Sequence, residues 1–413
     1  MASPPQQIDN RQPSQTLRTL TDDLLEEIFL RLPTPTDLAR ACTACAYFCR
    51  IITDRAFLRR FRAIHPPPPL GFLPNEEAGF LPAQPPHPSA PLARALADAA
   101  DFSYSFVPTG RWLTPWRTRD VRQGRVLIEC CPEDALDHPS LAMRQVDLVL
   151  AVCDPLYRRY VLLPTIPADP ADKPLCYYDF GLFLVPTSED EEETSFRVMC
   201  TVSNDTNLVA FLYSSVTGHW CIVASLSWSS LGTVPPRGVG LFSSFEYSQG
   251  CFFWTAPWRE KLLVLDTLRM EFSIVRNVPY SYCKLDTGQP CIVMDTEGSP
   301  EMLLLSNSFD LLHFHVTKQI GNVPSDRWQL QNVIPLPSKY YYYLTLGAAE
   351  GFLFLRCIPE TQRLAHSSED LVDDYCLLDI KTSDLKKVCG MPKCLFRVHA
   401  YFGFPPSLSK PCI

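Results

Sequence analysis

The chain has 413 residues and carries 37 Lys+Arg against 45 Asp+Glu, a formal charge of -8. Apolar residues make up 46% and aromatics 11%, which excludes a largely disordered chain and suffices for one large domain plus a small one. The 39 prolines disfavour an all-helical fold, and the acidic balance disfavours a nucleic-acid binder, whose phosphate contacts need surplus Lys and Arg.

Residues 1–19 are polar and rich in Pro and Gln, and read as a disordered tail. They contain no apolar run of the kind a secretory signal needs, and no stretch of the chain approaches the roughly 18 apolar residues of a membrane span. The expectation is a soluble, cytoplasmic and/or nuclear protein with no membrane partner. Its seventeen cysteines are expected to stay reduced and pack as small hydrophobes.

Residues 20–64 read as three helices. Leu24, Leu25, Ile28, Phe29 and Leu32 recur at helical spacing, and Pro33 and Pro35 end that helix. Thr36 or Asp37 caps a second helix carrying Leu38, Ala41, Cys42, Cys45, Phe48 and Cys49 on one stripe, and a third begins at Thr53 or Asp54. Some 45 residues in short helices make a small core, so an apolar face is expected to seek a partner. Residues 65–94 read as a Pro-rich linker, with ten prolines in the 27 residues from His65 to Pro91.

From residue 95 to 413 the pattern is one of short strands with an internal repeat. The segments CDPLYRRYVLL from Cys153, YSSVTGHWCIV from Tyr213, LDTLRMEFSIV from Leu265 and LDIKTSDLKKV from Leu378 align without gaps. Each is a strand end, a polar turn, an apolar or aromatic residue at the eighth position, and a second strand. With a degenerate copy at Trp328, the eighth positions are Tyr160, Trp220, Phe272, Trp328 and Leu385, at spacings of 60, 52, 56 and 57. A near-constant period in strands predicts an all-β propeller following the all-α module. Six blades fit the length, with five or seven as alternatives, and strands near Phe102 to Val107 are expected to complete the last blade.

The helical segment LTDDLLEEIFLRLPTPTDLARACTACAYFCRII, Leu20 to Ile52, resembles an F-box. The matching positions are Leu20, Leu24, Leu25, Ile28, Phe29, Arg31, Leu32, Pro33, Asp37, Leu38, Arg40 and Cys45; the departures are Thr21 for Pro, Ala46 for a basic residue and Phe48 for Trp. The repeat hairpins and the closing YFGFPPSLS, Tyr401 to Ser409, are similar to plant, grass-type F-box proteins with an F-box-associated domain. The resemblance implies a non-catalytic substrate receptor of an SCF-type, cullin-based ubiquitin ligase. Its F-box would dock on a Skp-type adaptor, which recruits the cullin and RING subunits, and its propeller would hold a protein target. Adaptor contact would fall to Leu20, Leu24, Ile28, Leu32, Pro33 and Leu38. The three departures motivate an alternative, a non-degradative scaffold or competitor for the adaptor. A propeller enzyme is the third reading, and no nucleophile elbow, metal cluster or phosphate loop in the sequence favours it.

Other chemistry-like patterns have plainer readings. Cys42, Cys45 and Cys49 form one apolar stripe without a fourth ligand, so no metal or cofactor is expected. The Cys130–Cys131 and Cys389/Cys394 pairs lack metal spacing, His313 and His315 read as ordinary strand residues, and Gly238 and Gly240 do not make a phosphate loop. SEDEEE, Ser188 to Glu193, reads as a solvated loop. Residues 1–64 carry net +2 and the remainder -10, which suits a basic protein target and again disfavours nucleic acid. Tyr340 to Tyr343 and the Trp254/Trp258 pair are candidate exposed anchors, though blade aromatics are more often core.

Overall fold

The structure, a computed structural model, describes residues 20–33, 35–65, 67–75, 78–109, 114–130, 148–167, 179–186, 195–203, 206–232, 246–248, 250–254, 261–276, 279, 291–294, 300–306, 308–317, 327–363, 372–392 and 398–403. The chain divides into two compact units, residues 1–68 and 69–413.

The first unit is helical. Helix α1 (Asp22–Leu30) begins after Thr21, whose extended backbone forms the cap, and carries Asp22 and Asp23 at its positive end. Helix α2 (Pro35–Ala44) ends one residue before Cys45, where φ −161° and ψ 155° break the helix. Helix α3 (Ala46–Ile52) starts there, and the Cys45 thiol accepts the Phe48 N–H. Helix α4 (Arg55–Ile64) is capped by Asp54, whose carboxylate accepts from Ala56 and Phe57. The single second helix expected from the sequence is thus two, which makes four helices among the unit's described residues. The cysteine stripe is broken because Cys45 serves as a cap. Leu25, Phe29, Leu30, Leu38, Ile51, Ile52, Phe57 and Phe61 make the core, with Phe29 edge-on to both Phe48 and Phe57.

The second unit is mostly β. It opens with β1 (Pro69–Pro74), β2 (Leu81–Pro82) and helix α5 (Ala90–Ala99). Then come five four-stranded antiparallel sheets, each built in chain order. The first holds β3 (Arg117–Arg122), β4 (Arg125–Cys130), β5 (Val149–Asp154) and β6 (Arg159–Leu162). The second holds β7 (Asp179–Val185), β8 (Arg197–Ser203), β9 (Asn207–Ser214) and β10 (His219–Ser227). The third holds β11 (Glu246–Ser248), β12 (Cys251–Trp254), β13 (Lys261–Asp266) and β14 (Glu271–Arg276). The fourth holds β15 (Cys291–Met294), β16 (Pro300–Leu305), β17 (Leu311–Thr317) and β18 (Arg327–Ile334). The fifth holds β19 (Tyr340–Ala349), β20 (Phe352–Pro359), β21 (Val372–Asp379) and β22 (Leu385–Pro392). Strand β23 (Val398–Phe402) returns to pair with β1, giving a sixth sheet in the order β2-β1-β23.

The expected Pro-rich linker is therefore not a spacer. Residues from Pro69 onward belong to the β unit, and Leu70, Phe72 and Leu73 of β1 are buried in its core. Proline is tolerated because Pro69 and Pro74 stand at the ends of β1 and Pro82 ends β2. Closure also differs from the expectation. Residues 102–107 form turns rather than a strand, and β1 supplies the pairing instead, antiparallel to β23 with Phe72 opposite Ala400 and Leu73 opposite His399.

Consecutive sheets share hydrophobic clusters. One lies between the first and second sheets around Phe211 and Val198, the next between the second and third around Phe183 and Trp254. A third joins Phe253 to Phe314, and a fourth joins Leu303 to Leu355. The last gathers Phe72, Leu73 and Tyr401 with Val126 of the first sheet and Phe354 of the fifth. The closing sheet thus bridges the two ends of the series.

The sequence repeat is the hairpin between the third and fourth strands. Its first and eighth positions face each other as Cys153↔Tyr160, Tyr213↔Trp220, Leu265↔Phe272 and Leu378↔Leu385. At the second position, Asp154, Asp266 and Asp379 each accept two amide N–H groups of the turn, and Ser214 accepts one. The sixth position is left-handed in these four copies, with φ of 52° at Arg158, 73° at Gly218, 56° at Met270 and 61° at Ser383. In the degenerate copy Trp328 sits opposite Val316.

Candidate partner-binding site

Helix α1 presents two faces. Leu25, Phe29 and Leu30 point into the core, while Leu24 and Ile28, one turn apart, are 52% and 48% exposed. The helix is held from both sides. The carboxylate of Asp22 pairs with Arg50 of α3 at 3.1 Å and accepts from the Tyr47 hydroxyl, and the Arg50 guanidinium lies 5.1 Å from the Tyr47 ring centre. The bond to Asp22 holds the Tyr47 phenol above its ordinary pKa. From α4, Arg60 reaches Glu26 and Glu27 at 2.7 Å each. His65 Nε2 lies 2.7 Å from the carbonyl oxygen of Leu30 at the helix end. Exposed ion pairs of this kind contribute little to stability, so their effect is to fix the orientation of α1.

The six sequence-expected contact residues separate. Leu24 and Ile28 are open to a partner, and Pro33 is exposed just beyond α1. Leu20 and Leu32 are half-buried against the unit's own core. Leu38 is 5% exposed and packs internally, so the expectation that it makes an external contact is corrected. Its position on the α2 stripe could not reveal this, because both roles call for an aliphatic residue at helical spacing.

In the β unit, two-residue turns at Gln123–Gly124 and Glu350–Gly351 have positive φ at both positions, the type I′ hairpin geometry. The strands of each sheet alternate in direction. These first-to-second hairpins therefore lie at the same end of their sheets as the repeat hairpins. Near this end Asp120 accepts from Arg122 Nε at 3.0 Å and from the Leu184 amide at 2.8 Å, and the Arg122 guanidinium lies 4.8 Å from the Tyr247 ring centre. Burial raises the Glu350 carboxyl above its ordinary range, partly offset by the Arg122 charge. Four sheets, the first, second, third and fifth, thus contribute to this cluster. The x-Gly turns were the readable signal for it.

The other expected features resolve as follows. Tyr340, Tyr343 and Trp254 are buried, which removes them as exposed anchors. His313 is a strand residue with an acidic neighbour, its Nε2 lying 2.9 Å from Glu301 across the β16–β17 pair. No group of three or more His, Cys, Asp or Glu among the described residues is placed to hold a metal ion. No helix among them is long and apolar enough to cross a membrane. Residues 1–19, Ser188 to Glu193, Gly238, Gly240, Cys131, Cys394, Trp258 and 404–409 lie outside the described residues.

No family model matches the chain, and no curated protein matches it significantly. Among solved structures it is similar to the fucose-specific lectin from Aleuria aurantia, at 11% identity and TM-score 0.33, covering 68% of this chain and 78% of that one. It is also similar to a protein of unknown function from Bacteroides caccae, at 9% identity and TM-score 0.32, covering 73% and 88%. Similarities this low assign neither family nor activity.

Proposed function

We propose that the chain is a non-catalytic substrate receptor of an SCF-type, cullin-based ubiquitin ligase. In this reading the helical unit is an F-box that binds a Skp-type adaptor, and the β unit is a six-bladed propeller that holds the target protein. The observation that carries it is the exposed pair Leu24 and Ile28 on a helix whose opposite face is fully used by its own core. An apolar pair at i and i+4 is the anchor pattern of a helix entering a groove. Five four-stranded sheets and a closing three-stranded one support six blades. The mechanism needs no bond-making side chain, metal or cofactor in this chain. Holding a target lysine beside a ubiquitin thioester on a separate enzyme replaces a bimolecular encounter with a local one.

The test is co-purification of the tagged full chain with a plant Skp-type adaptor and its cullin, beside a Leu24→Asp/Ile28→Asp variant. Both positions are solvent-facing, so the variant should fold at a cost of about 1 kcal/mol in helix propensity, while two unpaired carboxylates in an apolar groove should abolish adaptor recovery. Adaptor and cullin with wild type alone is the expected result. Adaptor without cullin would favour the competitor reading, and no adaptor with wild type would refute the F-box.

A further inference from the structure

We propose that residues 83–90 form a strap over the outer edge of the fifth sheet, and that protonation of His87 releases it. Strand β22 is the last of its sheet, with no strand paired on its outer side. The strap occupies part of that edge. The Gln84 amide donates to the Val388 carbonyl at 2.7 Å, and the Gln84 side-chain oxygen accepts the Gly390 N–H at 3.3 Å. His87 ties this contact to helix α5: its N–H donates to the Gln84 carbonyl at 2.9 Å, and its carbonyl accepts the Ala90 N–H at 3.0 Å. The residue is 7% exposed, and ring Nδ1 accepts the Ser89 N–H at 3.2 Å. An amide only donates, so this bond requires the tautomer that carries its proton on Nε2.

A second proton on the ring undoes this arrangement. Placed on Nδ1, it sets a donor against the Ser89 N–H, and that bond is lost. The new charge is buried, and it stands at the positive end of α5, whose N-cap is Ser89. The charged group facing it from β22 is Lys386, which is also positive; β1 and β2 carry no titratable side chain, and Arg94 and Asp98 of α5 are exposed. Burial, and after it the Lys386 charge, hold the imidazole below its ordinary range. Once released, the ring meets water and titrates near its ordinary value of about 6.5. The released form therefore binds the proton more tightly. The strap is fully held above that pH and loosens as pH falls below it. Release leaves the Val388 carbonyl and the Gly390 amide open to a competing strand.

Hydrogen exchange of the full chain, read by mass spectrometry at about pH 7.5 and about pH 5.5 and corrected for the intrinsic pH dependence of exchange, tests this. Peptides covering residues 83–90 and 385–392 report the strap and the edge beneath it, and one covering 261–276 of the third sheet is the reference. In the wild type, opening of the first two should rise by up to about tenfold at the lower pH, one unit below the titration of the released ring, while the reference stays level. His87→Asn offers a side-chain oxygen in place of Nδ1 and does not titrate, so it should show no rise. Equal protection of the wild-type peptides at both pH values, or the same rise in the variant, would overturn the proposal. Exchange of the His87 ring C2–H in the wild type needs no variant. Its midpoint is expected below about 6.5, and a midpoint at or above that value would overturn the proposal.

Discussion

Replacing Gly71 with alanine tests the closing sheet at its tightest point. Gly71 adopts φ +155°, and a Cβ built there would lie 2.1 Å from the Leu81 carbonyl oxygen and 2.9 Å from a ring carbon of Phe80. The obstructing oxygen belongs to the backbone of β2, which is paired to β1 with Gly71 opposite Pro82, so it cannot rotate aside. Two costs add: about 1–3 kcal/mol for an L-residue in glycine-favoured backbone space, and about 1–3 kcal/mol for forcing volume into a packed site. Gly79 isolates the first cost, because it has φ +150° with nothing within 4 Å of its Cβ position. Gly71→Ala should therefore be less stable than Gly79→Ala by about 1–3 kcal/mol. Urea unfolding followed by tryptophan fluorescence reads this directly, since all seven tryptophans lie from Trp112 to Trp328, inside the β unit. Trp116 even shares the cluster that holds Phe72 and Leu73. Equal midpoints for the two variants, with equal slopes, would refute the steric argument.

Two further outcomes follow from the packing. Phe57→Ala removes a fully buried ring from the helical core and should cost about 3–5 kcal/mol; the far-UV helical signal should fall while the tryptophan transition of the β unit stays in place. The buried hydroxyl of Tyr401 donates to the Gly124 carbonyl at 3.3 Å, and burial raises its pKa well above the unfolded value. Its stabilising contribution is then intact below about pH 10 and is lost as pH rises further, because the unfolded chain releases the phenol proton first. Between pH 10 and 11.5, Tyr401→Phe should lose stability less steeply than wild type, by up to about 1.4 kcal/mol per pH unit. Parallel pH profiles would refute this.

The repeat was legible because its cause is local. An Asp or Ser second residue satisfies the turn amides, and a fixed position takes the left-handed backbone, so the eight-residue pattern survives although side chains vary from Met270 to Ser383. The helix cap at Asp54 was readable for the same reason. The helix break at Cys45 was not, since no Gly or Pro marks it and a thiol is an uncommon cap. Nor was the role of the Pro-rich stretch, because composition alone cannot show that Phe72 and Leu73 find partners some 330 residues away. Among the expected adaptor contacts, helical spacing identified α1 as amphipathic. It could not divide Leu24 and Ile28 from Leu38, because exposure depends on how four helices pack.

The pairing of β1 with β23 also sets an order of events during synthesis. Helices α1 to α4 leave the ribosome early and hold their core contacts within the first 68 residues. Strand β1 emerges directly afterwards with three large apolar side chains, and β2 follows at once, yet the partner of its other edge is not made until residues 398–402 have been added. At roughly 5–20 residues per second, that interval lasts from about a quarter of a minute to about a minute. For that time Leu70, Phe72 and Leu73 have only part of their final cluster available. A nascent chain that stalls short of β23 would present that strand edge to chaperones and to other chains.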